Sequence, residues 1–418
     1  MKVIGVIAEF NPLHYGHAWL LRQIKNSTTE QCGIITIMPE FFSQRGIPNL
    51  LAPWQRAQTA LVAGADLVLS LPEVYALSSA EGFAAGSVKS LASTGLISEI
   101  ACSAEDADIT KIEQISNYLS TESYSFQREL QQGIKNGIGF AAAREQALAN
   151  VSQDTELASL INKPNNILAI EYMKALNSMD KSHNIKLKLY PRLIDTSSGS
   201  IRKHIEVSLS SIDVSDKSMS GSNQLLQLIK TLEDKLPPYS LSQILTALQL
   251  NNGPLLFEKL KDDIFYALYS QDTSSIQDIA HMQQGLGLRL INLAGKPQFL
   301  SLSMTDFVQV ASSRAHPASR VRRALLSLLL GMRTSDLYEL REPEYLKVMG
   351  FNKKGRYLLR LMNRHGHLPI ISLASEYAKL KSNRAQRQSN ISLRAAKLWF
   401  KQIERNINIY YEKKPIQL

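Results

Sequence analysis

Apolar and polar positions in the first half of the chain follow two alternating periods. Val3, Ile4, Val6 and Ile7 form a short, β-branched and nearly unbroken apolar run, the pattern of a strand buried on both faces of a parallel sheet. Asn11-Pro12 breaks the run, Gly16 permits close backbone approach, and Ala18, Leu20, Leu21 and Ile24 resume at helical spacing. Residues 33–38 (GIITIM), 66–71 (DLVLSL) and 97–102 (ISEIAC) predict further strands, while 53–63, opened by a proline, and 80–91 predict the helices between them. Residues 185–190 (IKLKLY) alternate apolar and basic positions, as a strand with one exposed face does. The expected fold class is therefore α/β, a parallel-sheet, Rossmann-like domain whose ligand site lies at the carboxyl ends of the strands.

Residues 109–160 read as mainly helical, with 141–149 (AAAREQALA) a strong helix former. Next comes a polar turn, Lys163-Pro164-Asn165-Asn166, directly before a helical run, so one Asn of the pair is expected to cap that helix. Residues 207–223, rich in Ser and Asp, form the expected linker. Beyond them the pattern is helical almost throughout, over 225–236, 241–250, 257–269, 303–312, 319–330 and 344–346 followed by 355–362. The expected organisation is an α/β domain over 1–206, the linker over 207–223, and a mostly α-helical, basic domain over 224–418.

Composition narrows this picture. A chain of 418 residues can bury more than one core, and 44% hydrophobic with 20% charged residues is ordinary for a folded protein. Cys32 and Cys102 are the only cysteines, which leaves no disulfide framework and fits a reducing cytosol. The N-terminus runs straight into a strand without a cleavable apolar core, and no apolar run approaches membrane-spanning length, so a cytoplasmic protein without membrane contact is expected. Net charge is +10. The stretch after Ser313 concentrates it in Arg314, Arg320, Arg322, Arg323, Lys353, Lys354, Arg356, Arg360, Arg364, Arg384 and Arg387, which points to a basic second half and a polyanionic partner.

Candidate chemistry centres on the break after Ile7. A strand, a tight turn and a helix N-terminus expose backbone N–H groups and the positive end of a helix dipole, a ready anion site, and His14 and His17 flank its Gly16. Either imidazole can donate a ring N–H to a phosphate chain and stabilise charge that grows when the chain is broken. Metal ligation and plain surface histidines are the alternatives, but no third ligand lies near in sequence. A spare carboxamide of Asn165 or Asn166 would reach a ribose or base edge. Asp195-Thr196-Ser197-Ser198-Gly199-Ser200-Ile201-Arg202 is a hydroxyl-rich turn entering a helix with an Arg in its first turn, a second anion site or a solvated loop with a Ser cap. In residues 318–331 (ASRVRRALLSLLLG), Arg320, Arg322 and Arg323 precede an apolar body, and 351–356 (FNKKGR) add a second basic turn. Either these contact phosphates or they are simply solvated.

The run GVIAEFNPLHYGHAWLL strongly resembles the opening of the bacterial tRNA(Met) cytidine acetate ligases, a branch of the HxGH nucleotidyltransferase-like proteins. The resemblance continues through Gln44-Arg45-Gly46, Ala63-Gly64-Ala65-Asp66-Leu67-Val68, Leu71-Pro72, Pro164-Asn165-Asn166-Ile167-Leu168, Ser197 to Lys203, and Val348-Met349-Gly350-Phe351-Asn352-Lys353-Lys354-Gly355-Arg356. It implies a nucleotidyltransferase-like fold and a ligase that activates acetate with ATP as acetyl-adenylate. That enzyme passes the acetyl group to N4 of the wobble cytidine of elongator tRNA(Met). Carried over residue by residue, the resemblance implies ATP contact by Ile7, Ala8, Glu9, Phe10, Asn11, Pro12, Leu13, His14, Tyr15, Gly16, His17, Ala18, Trp19 and Leu20. His14 and His17 would meet the phosphates, and Ser103, Asn165, Asn166, Arg192, Ser198 and Arg202 would complete the nucleotide site. Arg314, Arg320, Arg322, Arg323, Lys353, Lys354 and Arg356 are the expected tRNA contacts. Mg²⁺ is the expected companion of ATP, with no dedicated carboxylate cage.

Departures from the family carry expectations of their own. Pro39-Glu40-Phe41-Phe42 stands where the family has small and amide residues, so Glu40 would repel a triphosphate if its loop faces one. Ser103 replaces a family Gly, where a side chain would crowd the ligand. Near the basic helix, Ser313-Arg314-Ala315-His316-Pro317 keeps the family Arg without its aromatic neighbour. Two other functions stay open on this reading: nucleotidyl transfer to a small phosphorylated metabolite, and an inactive RNA-binding relative.

Overall fold

The apolar runs form the sheet that they predict, β-branched residues suiting a pleated surface covered on both sides. β1 (Lys2–Ile7), β2 (Cys32–Pro39), β3 (Leu67–Leu71), β4 (Glu99–Ala104) and β5 (Lys186–Pro191) run parallel in the order β5-β4-β1-β2-β3. The computed structural model describes residues 1–27, 31–180, 184–193, 197–211 and 219–418. The strand order reverses at β1 and β4, which opens a crevice at their carboxyl ends.

Amphipathic helices cover both faces. α1 (Tyr15–Asn26) and α2 (Pro53–Ala63) bring Leu20, Leu21, Ile24, Ala57, Ala60 and Leu61 against Ile4, Val6 and Ile34. On the other face α3 (Ala80–Ala92) and α4 (Pro164–Asn177) bring Phe83, Val88, Leu91, Ala169 and Ile170 against Val3, Ile35 and Ile37. Each such large side chain contributes about 1.5–3 kcal/mol by leaving water. Gly5 lets α3 approach this closely, since a Cβ there would lie 2.8 Å from Leu91 Cδ1.

The second part of the chain is not helical throughout. Residues 344–346, expected in a helix, lead instead into β6 (Leu346–Phe351), which pairs antiparallel with β3. β7 (Ile370–Ile371) and β8 (Ile416–Gln417) then pair with β6, so the chain beyond residue 224 gives three strands to the sheet begun by the first part. Both ends of the expected linker are helical, in α5 (Ser198–Ser211) and in the helix Met219–Leu232, while 212–218 lie outside the described residues. Two basic helices follow, α6 (Ala318–Leu330) and α7 (Lys353–His365). Among the described residues no helix is long and apolar enough to cross a membrane.

Candidate functional site

The turn after β1 is built by its own histidines. His14 is the N-cap of α1: its Nδ1 accepts the N–H of Gly16 at 3.1 Å, and His17 Nδ1 accepts the N–H of His14 at 3.3 Å. A backbone N–H can only donate, so both Nδ1 atoms are lone-pair acceptors and each ring carries its proton on Nε2. That leaves one N–H donor per ring for a ligand. The rings stack with centroids 3.9 Å apart, and Phe10 meets His17 edge-on at 5.2 Å. Burial, and then the charge of Arg192, lower the His14 pKa to about 4, and burial together with His14 and Arg192 drives His17 well below its usual value. Both are neutral donors at physiological pH.

Arg56 holds this turn to the end of β2. Its guanidinium donates to the carbonyls of Phe10 at 3.2 Å, Glu40 at 2.8 Å and Pro39 at 2.8 Å, and also to that of Glu9. Burial pulls its pKa down to about 10, so it stays charged. Phe10 occupies the left-handed region (φ 47), a conformation that this clamp sustains.

These elements enclose a cavity of about 210 Å³ at the carboxyl ends of β1 and β4. Of the residues expected to hold ATP, Ile7, Ala8, Glu9, Asn11, His14, Gly16, His17, Trp19, Leu20, Ser103, Asn165, Arg192, Ser198 and Arg202 line it. Phe10, Pro12, Leu13, Tyr15, Ala18 and Asn166 do not: Phe10 and Leu13 are packed inward, Tyr15 faces solvent, and Asn166 is buried with its Oδ1 accepting the N–H of Asp106. Sequence reasoning missed Arg45 and Gln44 as walls, although it quoted both for the resemblance, and it missed Phe83, Leu168 and Tyr172, whose apolar character reads as core.

Neither Asn165 nor Asn166 is the N-cap of α4; Lys163 is, without a side-chain bond, and Glu105 supplies the missing acceptor by taking the N–H groups of Asn165 and Asn166 at 3.0 and 3.1 Å. In the second turn, Asp195 and Thr196 lie outside the described residues. Arg202 sits a full turn inside α5 rather than in its first turn, buried, and donates to Asn11 Oδ1 at 3.1 Å and Pro48 O at 3.0 Å. Its other amino group has no hydrogen-bond partner among the described residues and lies 3.8 Å from Glu206.

Glu40 does not face the cavity. Its carboxylate is 2% exposed and turned the other way, accepting from Lys347 Nζ and Tyr410 OH, each at 2.8 Å, and from Ser70. The expected repulsion of a triphosphate therefore has no geometric basis, and the inactive reading loses that support. Ser103 does line the cavity, half-buried.

The basic residues do not gather on one surface. Arg322 Nε donates to Arg45 O at 3.0 Å, and buried Arg323 donates to Gln44 O at 3.1 Å, so both brace a wall of the cavity. Gly46 (φ 71) makes this contact possible, because a Cβ there would lie 2.6 Å from the Arg323 nitrogen. Arg320 is tied to the carbonyls of His281 and Gln283, and Arg314 reaches Gly137 O from an exposed loop. Lys353, Lys354 and Arg356 open α7 at the amino ends of the strands, where Lys354 donates to Cys32 O and Asn352 N–H to Asp66 O. The eight residues of β2 put them on the order of 25 Å from the cavity.

Among the described residues Glu9 is the one carboxylate lining the cavity, and one of its oxygens accepts the Gln44 N–H at 2.6 Å. Among the described residues no three His, Cys, Asp or Glu side chains converge as a metal cage requires.

Residues 1–414 match the HIGH Nucleotidyl Transferase family. The chain is 33% identical to the tRNA(Met) cytidine acetate ligase of Thermoanaerobacter sp. (strain X514) over 393 residues, 92% of this chain and 91% of the relative. It is also 33% identical over 394 residues to the tRNA(Met) cytidine acetate ligase of Caldanaerobacter subterraneus subsp. tengcongensis, with 92% of each chain covered. The crystal structure of Thermotoga maritima TmcAL bound with alpha-thio ATP is similar over 100% of both chains, with a TM-score of 0.89 at 25% identity.

Proposed function

The chain belongs to the HIGH nucleotidyl transferase family, and on that premise we propose that it is an ATP-dependent ligase that acetylates a cytidine of tRNA(Met). The chemistry falls into two steps. First, an acetate oxygen attacks the α-phosphorus of ATP, the bond to the bridging oxygen breaks, and pyrophosphate leaves with that electron pair. Then N4 of the wobble cytidine of elongator tRNA(Met) attacks the acetyl carbonyl carbon of acetyl-adenylate, AMP departs, and N4 gives up a proton.

Acetate is already ionised at neutral pH, so the first step needs alignment and charge stabilisation more than a base. The observation that carries the reading is the pair of stacked, neutral imidazoles. Their Nδ1 atoms are committed to the backbone, so their Nε2–H groups are preset donors for oxygens that gain charge as pyrophosphate leaves. Arg192, Arg202 and the N-terminus of α5 at Ser198 and Gly199 add positive potential around the same cavity. An Mg²⁺ ion would arrive on the triphosphate.

A division of labour follows, with ATP and acetate in residues 1–206, tRNA on the basic helices of 224–418, and 207–223 between them, although both parts share one sheet. A cytoplasmic place of work fits a tRNA substrate. Incubation with ATP, labelled acetate and total tRNA, followed by nucleoside analysis, tests the proposal. Labelled N4-acetylcytidine is the expected product; the absence of both that nucleoside and acetate-dependent pyrophosphate release would refute the proposal.

A further inference from the structure

Glu105 lies just past β4 and is not part of the cavity wall, yet it touches two residues that are. One carboxylate oxygen accepts the backbone N–H groups of Asn165 and Asn166; the other accepts Asn165 Nδ2 at 2.7 Å and the Arg192 guanidinium at 2.8 Å. Four donors converge on two oxygens, and no acceptor faces them. Only an ionised carboxylate, which accepts at every lone pair and donates at none, satisfies that arrangement.

The surroundings leave this task to Glu105. Pro164 has no N–H and Lys163 provides no side-chain cap, so the N-terminus of α4 depends on an acceptor from another element. Arg192 follows β5 and is pinned by its own N–H to Ala104 O at 3.0 Å, one residue before Glu105. The carboxylate thus ties the loop after β4, the end of β5 and the start of α4 together, and sets the two cavity donors at a fixed separation.

We propose that Glu105 is the positioning residue that presets Arg192 and Asn165 for the nucleotide; this rests on the ATP-binding part of the function proposed above. It acts through them and does not touch the substrate. Glu105→Gln keeps the length but turns an NH₂ group toward one donor pair, so Asn165 or Arg192 is released.

The test compares wild type, Glu105→Gln, Arg192→Gln and the double variant by equilibrium binding of labelled ATP, acetate-dependent pyrophosphate release and thermal unfolding. Loss of a charge-assisted contact predicts about tenfold weaker ATP binding and a matching rise in KM for Glu105→Gln, with kcat changed less. The losses in the double variant should fall well short of additive, because the part of the Glu105 effect that runs through Arg192 is already gone in Arg192→Gln, while the part that runs through Asn165 remains. A merely structural cap would lower the unfolding temperature with ATP affinity unchanged, or would give additive losses, and either result overturns the assignment. If Glu105→Gln does not fold, Glu105→Asp decides, since it keeps the charge but is one methylene too short to span both partners; unaltered ATP affinity there refutes the role. ATP binding is read without tRNA, so a wild-type protein that binds ATP yet makes no N4-acetylcytidine would defeat the tRNA reading and leave this one standing.

Discussion

Lys347→Met isolates the interaction that turns Glu40 away from the nucleotide. The pair is almost sealed, with side-chain exposures of 4% and 2%, and Lys347 Nζ sits 2.8 Å from Glu40 Oε2. Burial lowers the Lys347 pKa while Glu40 pulls it back up, as expected of a cation kept charged by its partner. Removing the ammonium leaves a buried carboxylate with only Ser70 and Tyr410 as donors, and breaking such a pair costs about 3–5 kcal/mol. Urea unfolding at pH 7 should therefore show a loss of about 3–5 kcal/mol, mostly relieved in Glu40→Gln/Lys347→Met, where no charge is left unpaired. Glu40→Gln alone should leave ATP affinity within about twofold of wild type, since the carboxylate is turned from the cavity. Undiminished stability in Lys347→Met, an unrelieved double variant, or a clear gain in ATP affinity on removing the charge would each refute the reasoning.

Three further outcomes are expected. His14→Asn and His17→Asn, which retain a side-chain acceptor at the start of α1, should slow acetyl-adenylate formation about 10²–10³-fold with little change in unfolding temperature; undiminished pyrophosphate release would remove the imidazoles from the reaction. With the folded His14 pKa near 4 and the unfolded value near 6.5, the unfolded chain binds more protons between these limits. Stability of the ATP-free protein should therefore be complete above pH 6.5 and fall by on the order of 3 kcal/mol toward pH 4, with a shallower slope in His14→Asn, and equal slopes would contradict the assignment. Arg322→Gln/Arg323→Gln should raise the KM for ATP about tenfold by freeing Gln44 and Arg45, as well as weakening tRNA; an ATP KM at the wild-type value would show that the wall stands without them.

The parallel strands and their covering helices were legible because each is a local pattern: β1 and β2 are apolar runs and Pro53 opens α2. β6 was not, since its six residues are bordered by helix-compatible sequence and include Lys347. That lysine can be buried only because Glu40 lies 307 positions away, a pairing that no window reveals. The turn that carries His14 and His17 into the cavity was legible from the break after β1 and its glycine, whereas the neutral state and tautomer depend on burial and on which amides the rings accept. Arg56 and Glu105 escaped notice for one reason. All the partners of Arg56 and half of those of Glu105 are backbone groups of distant segments, and a backbone group carries no residue identity for a pattern to register.

Charge density marked the second half as basic without saying which charges are free. Arg323 is 8% exposed and spends its guanidinium on a carbonyl beside the cavity, while Lys353 and Arg356 remain exposed at the far end of the sheet. A single flat RNA surface formed by all seven expected residues is therefore not the geometry. α6 instead stands between the exposed loop of Arg314 and the cavity wall at Gln44 and Arg45, its first turns touching the nucleotide side and its Leu face fixed in the core. Gly46 leaves no slack between that end of α6 and the wall, so a displacement of the helix start passes straight into the lining of the cavity rather than being absorbed between two independent domains.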